Sequence, residues 1–197
     1  KWNGTNWSID DGTTLGYDNI SNNAGGSSYP KILLDSSGRP NIIWYDNTTG
    51  GGDIYFSKWN GTNWTKADGA TLGYDNVSNN AGVSNYPQIQ LDSSGRPNIV
   101  WEDNTPGNYE IYFSKWNGTN WVTADGTTLG SYNISNNTGS SNGVQIQIDS
   151  TNRPQVIWSD FTSGNYEIYS RKWNTGAYYA GQVAQSLKIN GSIAGII

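Results

Sequence analysis

The chain contains no cysteine, no histidine and no methionine. Without Cys or His it has no thiol nucleophile, no His-based catalytic triad and no ordinary zinc site. It also has no disulfide, so cysteine usage leaves the redox compartment open. Lacking any Met for initiation, it reads as a processed form or a fragment, and the missing leader says nothing about export. Charged residues make up only 14%, the net charge is −5, and Lys and Arg nowhere form a run. That pattern offers no electrostatic footprint for a phosphate backbone, so nucleic acid is not an expected partner. No apolar run approaches the eighteen or so residues that cross a bilayer, and no segment shows sustained helical periodicity. Neither a membrane span nor much helix is expected.

What is present is aromatic and turn-rich: ten Trp, thirteen Tyr and twenty-five Gly in 197 residues. Large rings supply the buried surface that a 34% apolar content would otherwise leave short. Self-comparison organises the rest. Lys-Trp-Asn recurs at Lys1, Lys58, Lys115 and Lys172, and residues 1–57 and 58–114 are identical at 42 of 57 positions. Residues 115–171 form a third, more diverged copy.

Within each copy the polarity alternates as strands require. In the second, Tyr86–Asp92 reads as a strand, Ser93–Pro97 as a tight turn, Asn98–Asp103 as a second strand and Tyr109–Trp116 as a third. Asn117-Gly118 is a type I′ hairpin signal leading to a short fourth strand at Asn120–Val122. Residues 68–85 read as a long polar connection. Four antiparallel strands per unit, with one longer link to the next, predict an all-β chain: a β-propeller of four-stranded blades. The whole of 1–197 is expected to be one domain or a piece of one, with a partial blade at the termini. The divergent segment 172–197 has an Asn190-Gly191 turn between two apolar stretches. It reads either as a hairpin that closes the ring or as one donated to a neighbouring subunit.

The stretch Gln90–Asp103, followed by Tyr109-Glu-Ile-Tyr112, resembles blades of sialidase-like and bacterial-lectin-like propellers. Many of these carry Asp-x-x-Gly-x-Pro-x-apolar-apolar-Trp. The resemblance covers the three copies and implies fold more than function. The sialidase Asp-box, Ser-x-Asp-x-Gly-x-x-Trp, is not matched, because two residues separate Asp92 from Gly95.

Sialidases hold a carboxylate with three arginines, and Arg39, Arg96 and Arg153 stand once per copy. Each lies in the same Gly-Arg-Pro or Asn-Arg-Pro turn, where a structural role is expected. Glu102, Glu110 and Glu167 are the only glutamates; Glu110 and Glu167 are repeat-equivalent and match Asp53 in the first copy, and groups copied once per blade seldom form one catalytic pair. The expectation is therefore a protein that is not an enzyme and needs no cofactor. Trp44/Asp46, Trp101/Asp103 and Trp158/Asp160 are candidate sugar-binding pairs, since side chains two apart on a strand share a face. Repetition of a weak site suits multivalent glycan binding. Asp46, Asn47 and Asp53 cluster oxygens, but an Asx-turn accounts for them without a metal. Eleven Asn-x-Ser/Thr sequons include the glycosylation candidates Asn19, Asn47, Asn76 and Asn133. The leading reading is an extracellular or cell-surface glycan-binding or adhesive propeller. The alternatives are a surface protein that self-associates into filaments through the C-terminal segment, and a sialidase-like hydrolase.

Overall fold

The computed structural model describes residues 1–48 and 50–174. The segment 175–197, and with it the closing or donated hairpin, lies outside them. The described residues are all-β, without helix, and their strands pair antiparallel. The first sheet comprises β1 (Ser27–Leu34), β2 (Pro40–Asp46), β3 (Asp53–Trp59), β4 (Trp64–Thr65) and β5 (Asp75–Asn76). The second repeats it as β6 (Ser84–Leu91), β7 (Pro97–Asp103), β8 (Glu110–Trp116), β9 (Trp121–Val122) and β10 (Tyr132–Asn133). The third contains β11 (Ser141–Ile148), β12 (Pro154–Asp160) and β13 (Glu167–Lys172).

Two details differ from the sequence reading. The connection after the fourth strand is not wholly irregular: β5 returns to pair with Tyr55 and Phe56 of β3, beside the part of β3 that β4 leaves unpaired. The outer edge of the sheet is thus filled by two short pieces. The Asn-Gly hairpin is also wider than a type I′ turn. Only the Gly has positive φ (Gly118, +108°), while the Asn117 side chain accepts the amides of Thr119 and Asn120 at 2.9 Å. That cap stretches the loop to four residues and sets Trp116 opposite Trp121, edge to face at 5.7 Å.

Sheets pack in chain order, and β6 touches both β1 and β11, so the first strands converge at one edge of the stack. Ile43, Ile54 and Phe56 of the first sheet bury against Ile89, Ile99 and Trp101 of the second. Val100, Ile111 and Phe113 of the second bury against Ile146, Val156 and Trp158 of the third. Residues alternate along every long strand, so each sheet uses one face toward the sheet before it and the other toward the sheet after.

Polar links run through the same joints. Asn80, in the connection between sheets, donates its backbone N–H to Asp53 (3.4 Å) and its Nδ2 to Asp103 (2.6 Å). Asn137 repeats this between Glu110 (3.2 Å) and Asp160 (2.5 Å). One asparagine therefore joins a carboxylate of each sheet to a carboxylate of the next. A buried charge needs such donors to stay in the fold.

Candidate functional site

The Trp/Asp pairs expected to bind sugar do share a face. Trp44, Trp101 and Trp158 each donate Nε1 to the Asp two residues on, at 3.3, 3.0 and 3.2 Å. They lie inside the packing, however: Trp101, Asp46, Asp103 and Asp160 are completely buried, and Trp44 and Trp158 nearly so. Each indole is pressed against the tyrosine opposite it on the third strand, Trp101 on Tyr112 at 6.0 Å. No ring face is left for a sugar. Around each Asp the donors are all internal, with Ser27, Asn23, Thr48 and Trp44 serving Asp46. Burial raises the Asp46 carboxyl, and the hydrogen bonds of Ser27, Thr48 and Asn23 outweigh it, bringing it down to about 2. With its oxygens taken in this way, Asp46 is not available to a cation. Among the described residues no three Asp or Glu side chains gather into a metal site.

The sequon candidates divide. Asn19 and Asn47 are exposed, each accepting a backbone amide, from Asn22 at 3.0 Å and from Gly26 at 2.6 Å. Asn133 is half-buried and accepts the Asn136 amide at 2.8 Å. Asn76 is half-buried too, and its Nδ2 is engaged by Asp53 at 2.9 Å. In the Gly-Arg-Pro turns the group that organises the hairpin is the aspartate. Asp92 Oδ1 accepts the amides of Ser94 (2.8 Å) and Arg96 (2.9 Å), and Asp35 and Asp149 do the same in their sheets.

Backbone strain marks a different place. Each first strand carries a bulge two residues long: Tyr29-Pro30, Tyr86-Pro87 and Gly143-Val144. Its first residue has φ of +52°, +49° and +67°, a conformation that glycine adopts freely and tyrosine rarely. Tyr29 and Tyr86 hold it while remaining 46% exposed, their rings 4.7 Å apart. Tyr45 stands 6.2 Å from Tyr29. Backbone strain held at exposed aromatic residues makes this converging edge a candidate site.

Beneath them the copies also diverge, with Tyr45, Glu102 and Ser159 at one equivalent position and Gly52, Tyr109 and Tyr166 at another. The two changes compensate. Gly52 leaves room for the Tyr45 ring, which would meet a Cβ there at 2.5 Å, while in the second sheet the ring is Tyr109 and the opposite position carries Glu102. Glu102 is buried, and its Oε1 accepts the Gly143 amide of the next bulge at 2.7 Å. Burial pushes its carboxyl above the ordinary glutamate range, against the opposing pull of that amide. The hydrogen bond and charge of Tyr29, with a smaller contribution from Glu102, hold the Tyr86 hydroxyl above the usual tyrosine value.

A carboxyl whose folded pKa is raised contributes stability that is full below its unfolded value and lost as pH rises through the folded value. Glu102→Gln, which keeps an oxygen to accept the Gly143 amide, is therefore expected to raise the melting temperature at pH 7 and to leave it unchanged near pH 4. Equal shifts at both pH values in thermal melts would contradict this.

Comparison with known proteins places the fold. No protein-family model matches the chain, and no characterised protein sequence matches it. Among solved structures it is similar to the polysaccharide lyase Uly1, with a TM-score of 0.50 and 9% identity over 74% of this chain and 38% of the lyase. It is also similar to an endo-arabinase from Bacteroides thetaiotaomicron, with a TM-score of 0.46 and 17% identity over 83% of this chain and 62% of that one. The chain thus spans well under half of the lyase. The expectation that the protein is not an enzyme is corrected here, because the fold it shares with the lyase is one that an enzyme uses. Glu102 also escapes the premise behind that expectation, since its position carries Tyr45 and Ser159 in the other copies and it is not copied once per sheet.

Proposed function

We propose that this chain is part of a carbohydrate-active β-propeller that grips a polysaccharide where its first strands converge. The tyrosine pair forms the platform and Glu102 is the proton-bearing group. The observation that carries this reading is the coincidence of three features at one edge: the strained, exposed Tyr29 and Tyr86, the Tyr45/Gly52 to Glu102/Tyr109 exchange, and the Gly143 amide turned onto Glu102. Sugar rings present apolar C–H faces that stack on tyrosine, while their hydroxyls seek phenol and carboxyl partners. A carboxyl that burial makes hold its proton more tightly than an ordinary glutamate suits a general acid acting on a glycosidic or leaving oxygen. Among the described residues Glu110 does not serve as the second carboxylate of two-carboxylate hydrolysis. Glu110 is fully enclosed by Asn108, Ser135 and Asn137. The likeness to a polysaccharide lyase supports glycan as the ligand class, and the place of action is the extracellular space or cell surface, where polysaccharide is found.

The test is a panel of neutral and acidic polysaccharides, scored for binding by affinity electrophoresis and for cleavage by new chain ends. Tyr29→Gly with Tyr86→Gly removes both rings at positions where Gly143 shows that glycine fits, so the fold is kept. Binding is expected to weaken at least ~10-fold, as the loss of two stacking rings implies. Glu102→Gln is expected to retain binding and lose cleavage. A wild-type protein that neither binds nor cleaves any member of the panel would sink the reading.

A further inference from the structure

Among the described residues, the two faces left open at the ends of the stack are those that bury each other at every internal joint. On the first sheet Ile32 is 66% exposed, whereas its equivalents Ile89 and Ile146 are 8% and 4% exposed. On the third sheet Ile168 is 75% exposed, whereas Ile54 and Ile111 are completely buried. The open side of the first sheet is a groove along Pro30, Ile32 and Ile42. The matching surface of the second sheet receives Ile43, Ile54 and Phe56. The counterparts of those three on the third sheet are Ile157, Ile168 and Ser170, and Ile157 and Ile168 are exposed.

We propose that the exposed face of the third sheet docks into the groove of the first sheet on a second copy of this chain, continuing the stack head to tail. The joint repeats a contact the chain already makes twice, between surfaces of nearly the same sequence, so shape and apolar pattern are matched in advance. It is heterologous: one partner contributes Ile157 and Ile168, the other Pro30, Ile32 and Ile42. Ser170 in place of Phe56 and Phe113 leaves this joint without one ring, which makes it weaker than the internal ones and its assembly concentration-dependent. The inference is independent of the sugar site.

The asymmetry gives the experiment. Ile32→Glu spoils only the groove, Ile168→Glu spoils only the inserting face, and both side chains are already exposed, so neither change costs the fold. Light scattering is expected to show wild-type chain associating above its 21.5 kDa monomer mass as concentration rises. Each variant alone is expected to stay monomeric. An equimolar mixture is expected to form a dimer, because the intact face of one variant fits the intact groove of the other. Wild-type chain that is monomeric at millimolar concentration overturns the proposal, as does assembly unaffected by either variant or a mixture that fails to associate. Association abolished by removing residues 175–197 assigns the contact to that segment and overturns it too.

Discussion

Asp103→Ala is expected to cost about 4 kcal/mol of stability, which is much of what holds a domain of this size folded. The carboxylate is completely buried in the middle sheet. It accepts Trp101 Nε1 at 3.0 Å, Ser84 Oγ at 2.7 Å, Asn80 Nδ2 at 2.6 Å and the Thr105 amide at 2.8 Å. A hydrogen bond to a charged acceptor contributes about 1.5–3 kcal/mol, and a stranded buried donor costs about 1–3. Alanine strands all five donors, the Thr105 hydroxyl at 2.5 Å included, and leaves a hole where water has little access. Asparagine keeps the shape but turns an N–H toward donors, so about half the loss is expected from Asp103→Asn. Urea titration measures this as a lower midpoint at unchanged slope. A loss below about 1 kcal/mol would show that water replaces the carboxylate at little cost.

The repeat and its long strands were legible because they depend on period. Alternation fixes which side chains of Ser84–Leu91 or Pro97–Asp103 enter the core, and a 57-residue recurrence fixes how sheets follow one another. β5 and β10 were not legible. Asp75-Asn76 and Tyr132-Asn133 are two residues long and polar, and they become strand only because β3 and β8 leave backbone unpaired beside them. The turn at Asn117 was read from a dipeptide rule that counts backbone preference and omits the side chain, which here takes two amides for itself.

The site was hidden by the same regularity that revealed the fold. Looking for chemistry in what recurs selected Trp101 and Asp103, whose recurrence reflects a structural joint needed once per sheet. The informative columns were the mismatches. Tyr45 against Glu102 and Gly52 against Tyr109 are two of only fifteen differences between the first two copies, and a paired exchange of ring and small residue is visible without a structure. What no column shows is the burial that raises the Glu102 carboxyl, or that Gly143 of the third copy supplies its hydrogen bond, since both arise only when β11 of the third sheet packs beside β7 of the second.

Gly82→Ala is expected to cost about 3 kcal/mol, for a reason that ties it to the first prediction. Gly82 lies outside the left-handed region, so space rather than conformation excludes a side chain. A Cβ there would stand 2.7 Å from the Thr105 amide nitrogen and 2.8 Å from its Cα. Gly25 and Gly139 face Thr48 and Thr162 in the same way. Backbone on both sides makes the contact hard to relieve, and overpacking of this kind costs about 1–3 kcal/mol. The displaced Thr105 amide also leaves Asp103 Oδ1, adding the loss of a charged hydrogen bond. If the two residues serve one joint, their effects are not additive. In an Asp103→Ala background the Thr105 turn no longer has a carboxylate to lose and is free to move, so Gly82→Ala is expected to add about 1 kcal/mol or less. A double-mutant cycle by chemical denaturation reads this coupling, and full additivity would mean that the glycine and the carboxylate act on separate parts of the fold.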